Sequence, residues 1–159
     1  MTMPALPSFE GRLLETVREE VATGPVPEWP PQSLQLCLDI LQGIRANAAD
    51  MRSTLKGTLA EGVEARAFVR DYGPLLPLVE DYIAKIQGLV ARLSPAEDAA
   101  SQSLAVALRA LEQEYQAFRA LLAESLSRAS TPPRPVDWER IRAAEEAYAR
   151  GDTKPFSPR

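Results

Sequence analysis

Apolar residues recur along most of this chain at alternating steps of three and four positions, the spacing of one face of an α-helix. The first long series contains Leu34, Cys37, Leu41, Ile44, Ala48, Met51 and Leu55. The second contains Ala65, Phe68, Tyr72, Leu75, Val79, Tyr82, Ile86, Leu89 and Leu93. The third contains Leu104, Leu108, Leu111, Tyr115, Phe118 and Leu122. These series predict three long helices over about residues 32–59, 62–93 and 95–128.

The second predicted helix contains the sequence GPLLP at residues 73–77. Proline inside a helix removes a backbone hydrogen bond and bends the helix. The apolar phase nevertheless continues from Tyr72 through Leu75 to Val79 without a slip, and a loop would have no reason to preserve that phase. We therefore expect a kinked continuous helix, with a true break near Gly73 as the alternative.

A second apolar series lies on this same helix and contains Val69, Leu76, Ile83 and Val90. Two apolar faces indicate two neighbouring helices, so we expect this helix to be the middle one. The connections between the long helices are short, and in LSPAE we expect Ser94 to be the N-cap, Pro95 the first turn and Glu97 the end of a capping box. Short connections favour antiparallel neighbours and predict an all-α, up-down-up bundle, with an intermolecular coiled coil as the alternative.

A shorter helix is predicted before the bundle. Ser8 is a suitable N-cap for an amphipathic segment that ends near Thr23-Gly24-Pro25 and whose apolar face contains Phe9, Leu13, Leu14, Val17 and Val21. The segment TGPVPEWPPQ then predicts a stiff, polyproline-like connector, which Trp29 is expected to hold against the bundle. The short helix is thereby able to fill a fourth corner.

The sequence divides into a bundle over residues 1–129 and a proline-linked tail over residues 130–159. Within the tail, STPPRP predicts a semi-rigid spacer, Asp137 an N-cap and Gly151 the end of a short helix over about residues 138–150. A narrow apolar strip runs along this charged helix and contains Trp138, Ile141, Ala144 and Tyr148. Because so short a helix does not persist alone in water, we expect it to dock on its own bundle or on a partner.

The aromatic residues of the tail are the candidate functional residues. An anchor strip behind a proline spacer is typical of helix-in-groove recognition, so the predicted partner-binding residues are Trp138, Ile141, Tyr148 and Phe156. The predicted function is that of a non-catalytic interaction or regulatory protein. It is expected to bind a protein partner, or a second copy of itself, through this aromatic helix and an adjoining groove. Such a tail also resembles the neutralising segments of some bacterial antitoxins, which would imply an inhibitory role.

Charge and composition exclude several other partners. The net charge of the 159 residues is -4, which disfavours a nucleic-acid binder. Residues 128–159 hold seven basic and five acidic residues, so the tail is slightly positive and the body negative. No stretch is apolar enough to span a membrane. The first residues lack the pattern of a secretory signal, and Cys37 is the only cysteine; both features indicate a cytoplasmic protein.

The residue inventory argues against most catalytic sites. The chain has no histidine, which excludes imidazole-based triads, zinc sites that use histidine and Glu-x-x-His di-iron sites. Neighbouring carboxylates such as Glu80 and Asp81 point about 100° apart on a helix and do not converge. We therefore predict no catalytic residue, no cofactor and no metal. The alternative is a small-ligand-binding protein or a carboxylate-based enzyme, with a pocket near the GPLLP kink that uses Asp71, Tyr72 and Tyr82.

Overall fold

A computed structural model describes residues 10–130 and 137–149, and the regular structure in these two ranges is entirely helical. The all-α prediction is confirmed for this part of the chain. The helices are α1 (Gly11–Thr23), α2 (Pro31–Glu61), α3 (Ala65–Tyr72), α4 (Leu75–Leu93), α5 (Ala99–Ser130) and α6 (Trp138–Ala149). A short 3-10 turn, Val26–Glu28, lies between α1 and α2.

The three predicted apolar series form the core. In α2, the residues from Cys37 to Leu55 at alternating steps of three and four are at most 7% exposed. The corresponding residues of α5, from Leu104 to Leu122, are at most 1% exposed. Burial of so many large side chains is the main favourable contribution to folding, so the spacing in the sequence identified the core correctly.

Helix α5 is the central helix, which corrects the prediction for residues 62–93. It packs against α2 on one side and against α3 and α4 on the other. The second apolar series of α3 and α4 is only partly covered, since Ile83 is buried while Leu76 and Val90 are half-buried and Val69 is 37% exposed. Ile83 of this series lines a surface depression between α4 and α5 together with Gln116 and Arg119. The α4 residues beside α1, among them Lys85 and Leu89, lie on another side of the helix.

Helix α1 packs against both α2 and α4 and so fills the remaining corner of the bundle. Its residues Leu14, Val17 and Val21 are buried as predicted, whereas Ser8 and Phe9 lie outside the described residues. After α1, the indole Nε1 of Trp29 donates a hydrogen bond to the carbonyl of Gly24 at 3.1 Å. Trp29 also packs against the core as a partly buried side chain, so it holds the connector against the bundle as expected. The connector contains a 3-10 turn in addition to extended residues.

The GPLLP segment separates α3 from α4, so the structure has the break that was the alternative to a continuous helix. Pro74 has no N–H to donate, which interrupts the hydrogen-bond ladder. Gly73 and Pro74 nevertheless keep right-handed helical backbone angles, with φ of -52° and -64°. Because the backbone keeps its helical path, Tyr72 and Leu75 are both buried and the apolar phase continues across the break.

Two helix starts differ from the predictions. Residues 62–64 form a loop in which Gly62 has a φ of 87°, and the carboxylate of Glu64 caps α3 by accepting hydrogen bonds from the backbone N–H groups of Arg66 and Ala67. The last long helix begins at Ala99 and not at 95, because Ser94 still donates its N–H to Val90 and ends α4. The N-cap of α5 is Asp98, whose Oδ2 accepts a hydrogen bond from the Ser101 N–H at 2.8 Å.

Between Glu10 and Ser130 and from Asp137 to Ala149, no helix combines the length and the apolar content needed to cross a membrane.

Candidate interaction surface

Helix α6 begins where the sequence predicts. The Oδ1 atom of Asp137 accepts a hydrogen bond from the backbone N–H of Arg140 at 3.0 Å. This bond satisfies one of the N–H groups that the first turn of a helix leaves unpaired. The helix ends at Ala149, within one residue of the predicted end, and Gly151, the predicted stop signal, lies outside the described residues.

The apolar strip of α6 is open to solvent. Trp138 is 69% exposed, Ile141 41% and Tyr148 67%. From the sequence, this strip was expected to pack either on the chain's own bundle or on a partner. In the structure these three side chains do not pack on the chain's own bundle. The fourth predicted partner-binding residue, Phe156, lies outside the described residues.

Small side chains of α6 are covered instead. Ala147 is 4% exposed, and Ala144, which was predicted to belong to the strip, is half-buried. Successive helical residues are rotated by about 100°, so Ala147 lies well away from the line that joins Trp138, Ile141 and Tyr148. Helix α6 thus has a covered alanine side and an open aromatic side.

Charged side chains lie on and beside the open side of α6. Glu145 follows Trp138 by seven residues, a rotation of only about 20°, so it lies on the aromatic side itself, and Arg142 lies at the edge of that side; both are exposed. Arg140 precedes Ala147 by seven residues and therefore points towards the alanine side. The two edges of the aromatic side therefore do not carry opposite charges.

A groove lies between α1 and α4 on the surface of the bundle. Its volume is about 570 Å³, and small residues, Ala22, Ala84 and Gly88, provide part of its lining. Glu15, Arg18 and Glu19 line it on the α1 side, where Arg18 pairs with Glu15 at 2.9 Å. On the α4 side it is lined by the cations Lys85 and Arg92, as well as by Leu89. The α1 wall therefore carries charges of both signs, whereas the charges of the α4 wall are basic.

A second cavity of about 360 Å³ continues this groove towards the end of the bundle, since Arg92 lines both. Its lining includes the buried side chains of Val21, Val26 and Leu93. The combined groove therefore carries charges on its two walls near the middle of α1, and beyond Arg92 it is mainly apolar, with Asp98 and Ser101 also in its lining. Such a combination suits a helix that carries both apolar anchors and charged edges.

A buried carboxyl group joins three elements on the inside of the bundle. Glu10 is 1% exposed; its Oε2 accepts a hydrogen bond from the hydroxyl of Tyr115, and its Oε1 accepts one from the side-chain amide of Asn47. Burial raises the pKa of Glu10 above its ordinary value, while these two hydrogen bonds act in the opposite direction. Because both oxygens have donors, the group serves as a polar anchor for the start of α1.

The two tyrosines near Glu10 respond to the same environment. The rings of Tyr82 and Tyr115 lie 6.0 Å apart, centroid to centroid. Burial raises the pKa of both phenols, and the nearby Glu10 carboxylate raises it further. Both tyrosines therefore stay protonated at neutral pH and do not act as bases.

Glu10 was not predicted from the sequence, although a signal for it was present. Glu10 lies four positions before Leu14, in phase with the apolar face of α1. A carboxylate on the apolar face of a helix needs hydrogen-bond donors from the facing helices. Tyr115, taken from the sequence only as a core residue, is such a donor.

A further cavity, of about 290 Å³, lies between α1 and α2 and is lined by Glu10, Asn47 and mainly apolar residues, among them Leu13, Ile40 and Ile44. It is at the lower end of the range for small-ligand pockets. Both oxygens of Glu10 accept hydrogen bonds from the protein, which accounts for the burial of this carboxyl group beside the cavity.

The residues of the alternative pocket near the kink do not converge. Tyr72 is 3% exposed and stacks on Phe68, with the ring centroids 4.9 Å apart. Asp71 lies at the surface, where it accepts a hydrogen bond from Arg70 at 3.0 Å that lowers its pKa. Tyr82 lies near Glu10 and Gly11 instead, at the start of α1. The packing at the kink gives no support to a polar site there.

Cys37 is fully buried in the core, and burial, with a contribution from Glu20, raises the pKa of its thiol to about 11. The thiolate is the reactive form of cysteine, so this side chain is inert at neutral pH. Within the described ranges, the side chains of Cys, Asp and Glu do not gather in groups of three or more that could hold a metal ion.

Comparisons of the chain with protein-family models, with curated proteins and with solved structures give no match.

Proposed function

We propose that this protein is a non-catalytic helical bundle that binds a protein partner through the aromatic side of α6. The observation that carries the proposal is the exposure of Trp138 and Tyr148, 69% and 67%, on a capped helix whose alanine side is covered. Tryptophan and tyrosine are the residues that most often dominate binding energy in protein interfaces. A rigid helix also presents them at a low entropic cost.

We also propose an up-down-up order for the long helices. In this proposal the bundle holds α6 and presents its aromatic side. Three polar contacts across α4 and α5 favour opposite directions, because the residue number falls in α4 as it rises in α5. They join Ser94 with Arg109 at 2.8 Å, Gln87 with Glu112 at 3.1 Å and Glu80 with Arg119 at 3.9 Å. The predicted division into a bundle and a tail is part of the same proposal.

The experiment that tests the function compares complexes formed by the wild-type chain with those formed by the double variant W138A/Y148A. A matched control is Leu36→Ala, which removes an exposed apolar side chain from α2. We expect the double variant to lose α6-dependent complexes, as seen by cross-linking and size in cell extracts, while the control retains them. Equal complexes for all three proteins would contradict the proposal.

A further inference from the structure

The cavity of about 290 Å³ between α1 and α2 has a mainly apolar wall, to which Leu13, Ile40 and Ile44 contribute. A non-hydrogen atom takes up about 30 Å³, the share of one water molecule in the liquid. The cavity therefore has room for a molecule of about nine or ten non-hydrogen atoms. Its apolar wall suits a molecule that consists mainly of hydrocarbon.

Two carboxylates line the same cavity, and among the described residues its lining includes no lysine or arginine. Glu10 lies beside Asn47, because the two side chains are hydrogen-bonded. Asp39, which is exposed, precedes Asn47 on α2 by eight residues, about 12 Å at 1.5 Å per residue. The two acidic groups thus lie towards opposite ends of the cavity, and their potential favours a positively charged ligand.

The Glu10 carboxyl group is buried without a counter-ion from the described part of the chain. It is 1% exposed. Burial raises its pKa, hydrogen bonds from the Tyr115 hydroxyl and the Asn47 amide lower it, and no cation of the described residues is among these influences. A buried carboxylate is costly unless a charge of opposite sign lies next to it. A cation in the cavity supplies that charge.

Glu10 still has acceptor sites for a ligand. An ionised carboxylate has about four of them, and Tyr115 and Asn47 each occupy one, on different oxygens. A primary ammonium group is the matching donor, because it carries a positive charge and N–H groups that point in several directions. The bonds from Tyr115 and Asn47 also hold the carboxylate in one orientation, which lowers the entropic cost of binding.

We propose that the cavity between α1 and α2 binds a small organic cation, a primary ammonium with a hydrocarbon body of about eight carbon atoms, whose ammonium group pairs with Glu10. The hydrocarbon body packs against Leu13, Ile40 and Ile44, and Asp39 adds a favourable potential at the exposed end. This ligand goes beyond the proposed function and does not depend on it, since no described residue of α6 lines the cavity.

Three probes of similar size test the class of ligand. Phenethylammonium, 2-phenylethanol and phenylacetate share a phenyl ring and a short chain, and they differ in the charge of the end group. We expect phenethylammonium to bind the wild type and 2-phenylethanol to bind at least about tenfold more weakly, because it lacks the charge-assisted hydrogen bond. Phenylacetate should not bind. Isothermal titration calorimetry measures the affinities, and NMR shifts of the Ile40 and Ile44 methyl groups locate the probe.

Two variants test the site. Glu10→Gln removes the charge and keeps the shape, so the preference for phenethylammonium over 2-phenylethanol should fall to about twofold or less. Gly43→Phe fills the cavity, since Gly43 lines it and a Cβ there meets no atom within 4 Å. This variant should bind phenethylammonium at least about tenfold more weakly.

The matched control is Gly57→Phe, because Gly57 lies in equally open space on α2 and does not line the cavity. It should bind phenethylammonium as the wild type does. If Glu10→Gln does not fold, the comparison of Gly43→Phe with Gly57→Phe decides whether the probe lies in the cavity, and the wild-type preference for phenethylammonium over 2-phenylethanol decides the charge.

Four results would overturn the inference. The first three are no binding of phenethylammonium to the wild type, equal affinities for phenethylammonium and 2-phenylethanol, and unchanged binding in Gly43→Phe. The fourth is binding that appears only in Phe9→Ala, because a side chain of this protein would then fill the cavity. W138A/Y148A should bind phenethylammonium as the wild type does, so failure of this site and failure of the proposed function are separate outcomes.

Discussion

Helices α5 and α6 have the same kind of apolar spacing, but the apolar series of α5 is buried whereas that of α6 is largely exposed. In α5 the series that includes Leu108 and Tyr115 is at most 1% exposed. In α6 the series that includes Trp138 and Tyr148 is more than 65% exposed at these two residues. Spacing therefore tells which side chains share a face, but it does not tell what covers that face. A long helix between two neighbours must bury its series to fold, whereas a short appended helix is not required to.

The largest expected difference between the two helices is in stability. Leu108→Ala in α5 leaves a cavity in a fully buried site and should lower the free energy of unfolding by about 2–5 kcal/mol. Ile141→Ala in α6 should change it by less than about 0.5 kcal/mol, because this side chain is exposed. Urea unfolding of both variants at low protein concentration measures this. A similar cost for the two would mean that the strip is buried in solution.

The second expected effect concerns the buried polar anchor. Tyr115→Phe removes the donor to Glu10 Oε2 and leaves a buried carboxyl oxygen without that partner, which should cost about 1–3 kcal/mol. In a Glu10→Gln background the cost should differ, because the two side chains interact directly. A double-mutant cycle by urea unfolding gives the coupling. Strictly additive costs would show that Tyr115 and Glu10 do not depend on each other.

The third prediction concerns how the stability contribution of Glu10 depends on pH. This dependence should be opposite in sign to that of the surface carboxylates. Burial raises the pKa of Glu10 in the folded state above its ordinary 4.5, so its contribution to stability is fully present below that pH. The contribution is lost as the pH rises through the folded pKa. Asp98, whose pKa is lowered first by its hydrogen bond with the Ser101 N–H, stabilises the fold above its ordinary pKa and loses this effect in acid.

The difference in the free energy of unfolding between the wild type and Glu10→Gln isolates this effect. We expect the stability advantage of the wild type to shrink as the pH is raised from 4.5 towards neutrality, measured by urea unfolding at each pH. A difference that grows with pH over this range would contradict a raised pKa for Glu10. The profile of Asp98→Asn, which lacks the acid-sensitive cap, provides the comparison with the opposite sign.

The smallest expected effects concern the two aspartate caps. Asp98→Ala removes the cap of α5 and should lower the global free energy of unfolding by about 1 kcal/mol. Asp137→Ala removes the cap of α6 and should decrease the helicity of α6 with little effect on the bundle. Hydrogen exchange of amides in α6 and urea unfolding distinguish these outcomes. A loss of global stability in Asp137→Ala would show that α6 is an integral part of the bundle.

The success and failure of the sequence-based predictions have physical causes. The core was predictable because a buried residue such as Leu104 or Phe118 recurs with the helical period along a long element. The start of α5 was not, because Ser94 and Asp98 are both good caps and the choice depends on how far α4 extends. The central position of α5 was not predictable, because the second apolar series of α4 suggested a further neighbour, whereas Leu76 and Val90 are only half-buried.

The candidate site was predictable in part. The sequence identified the strip of α6 and its Asp137 cap, since both are local features. It did not identify Ala147 as the covered residue, because alanine gives no signal of which side of a helix meets a neighbour. The sequence led us to expect a groove but not its position between α1 and α4, since this groove forms from side chains about 70 positions apart.

The bond between Tyr115 and Glu10 joins residues 105 positions apart. A ribosome that adds about 5–20 residues per second exposes Glu10 roughly 5–20 s before Tyr115. Throughout that interval the Glu10 carboxylate of the nascent chain lies in water, because Tyr115, which donates a hydrogen bond to it in the folded protein, has not yet been made. The amphipathic first helix therefore has to wait for nearly the whole bundle to be made, which gives chaperones an early hydrophobic segment to recognise.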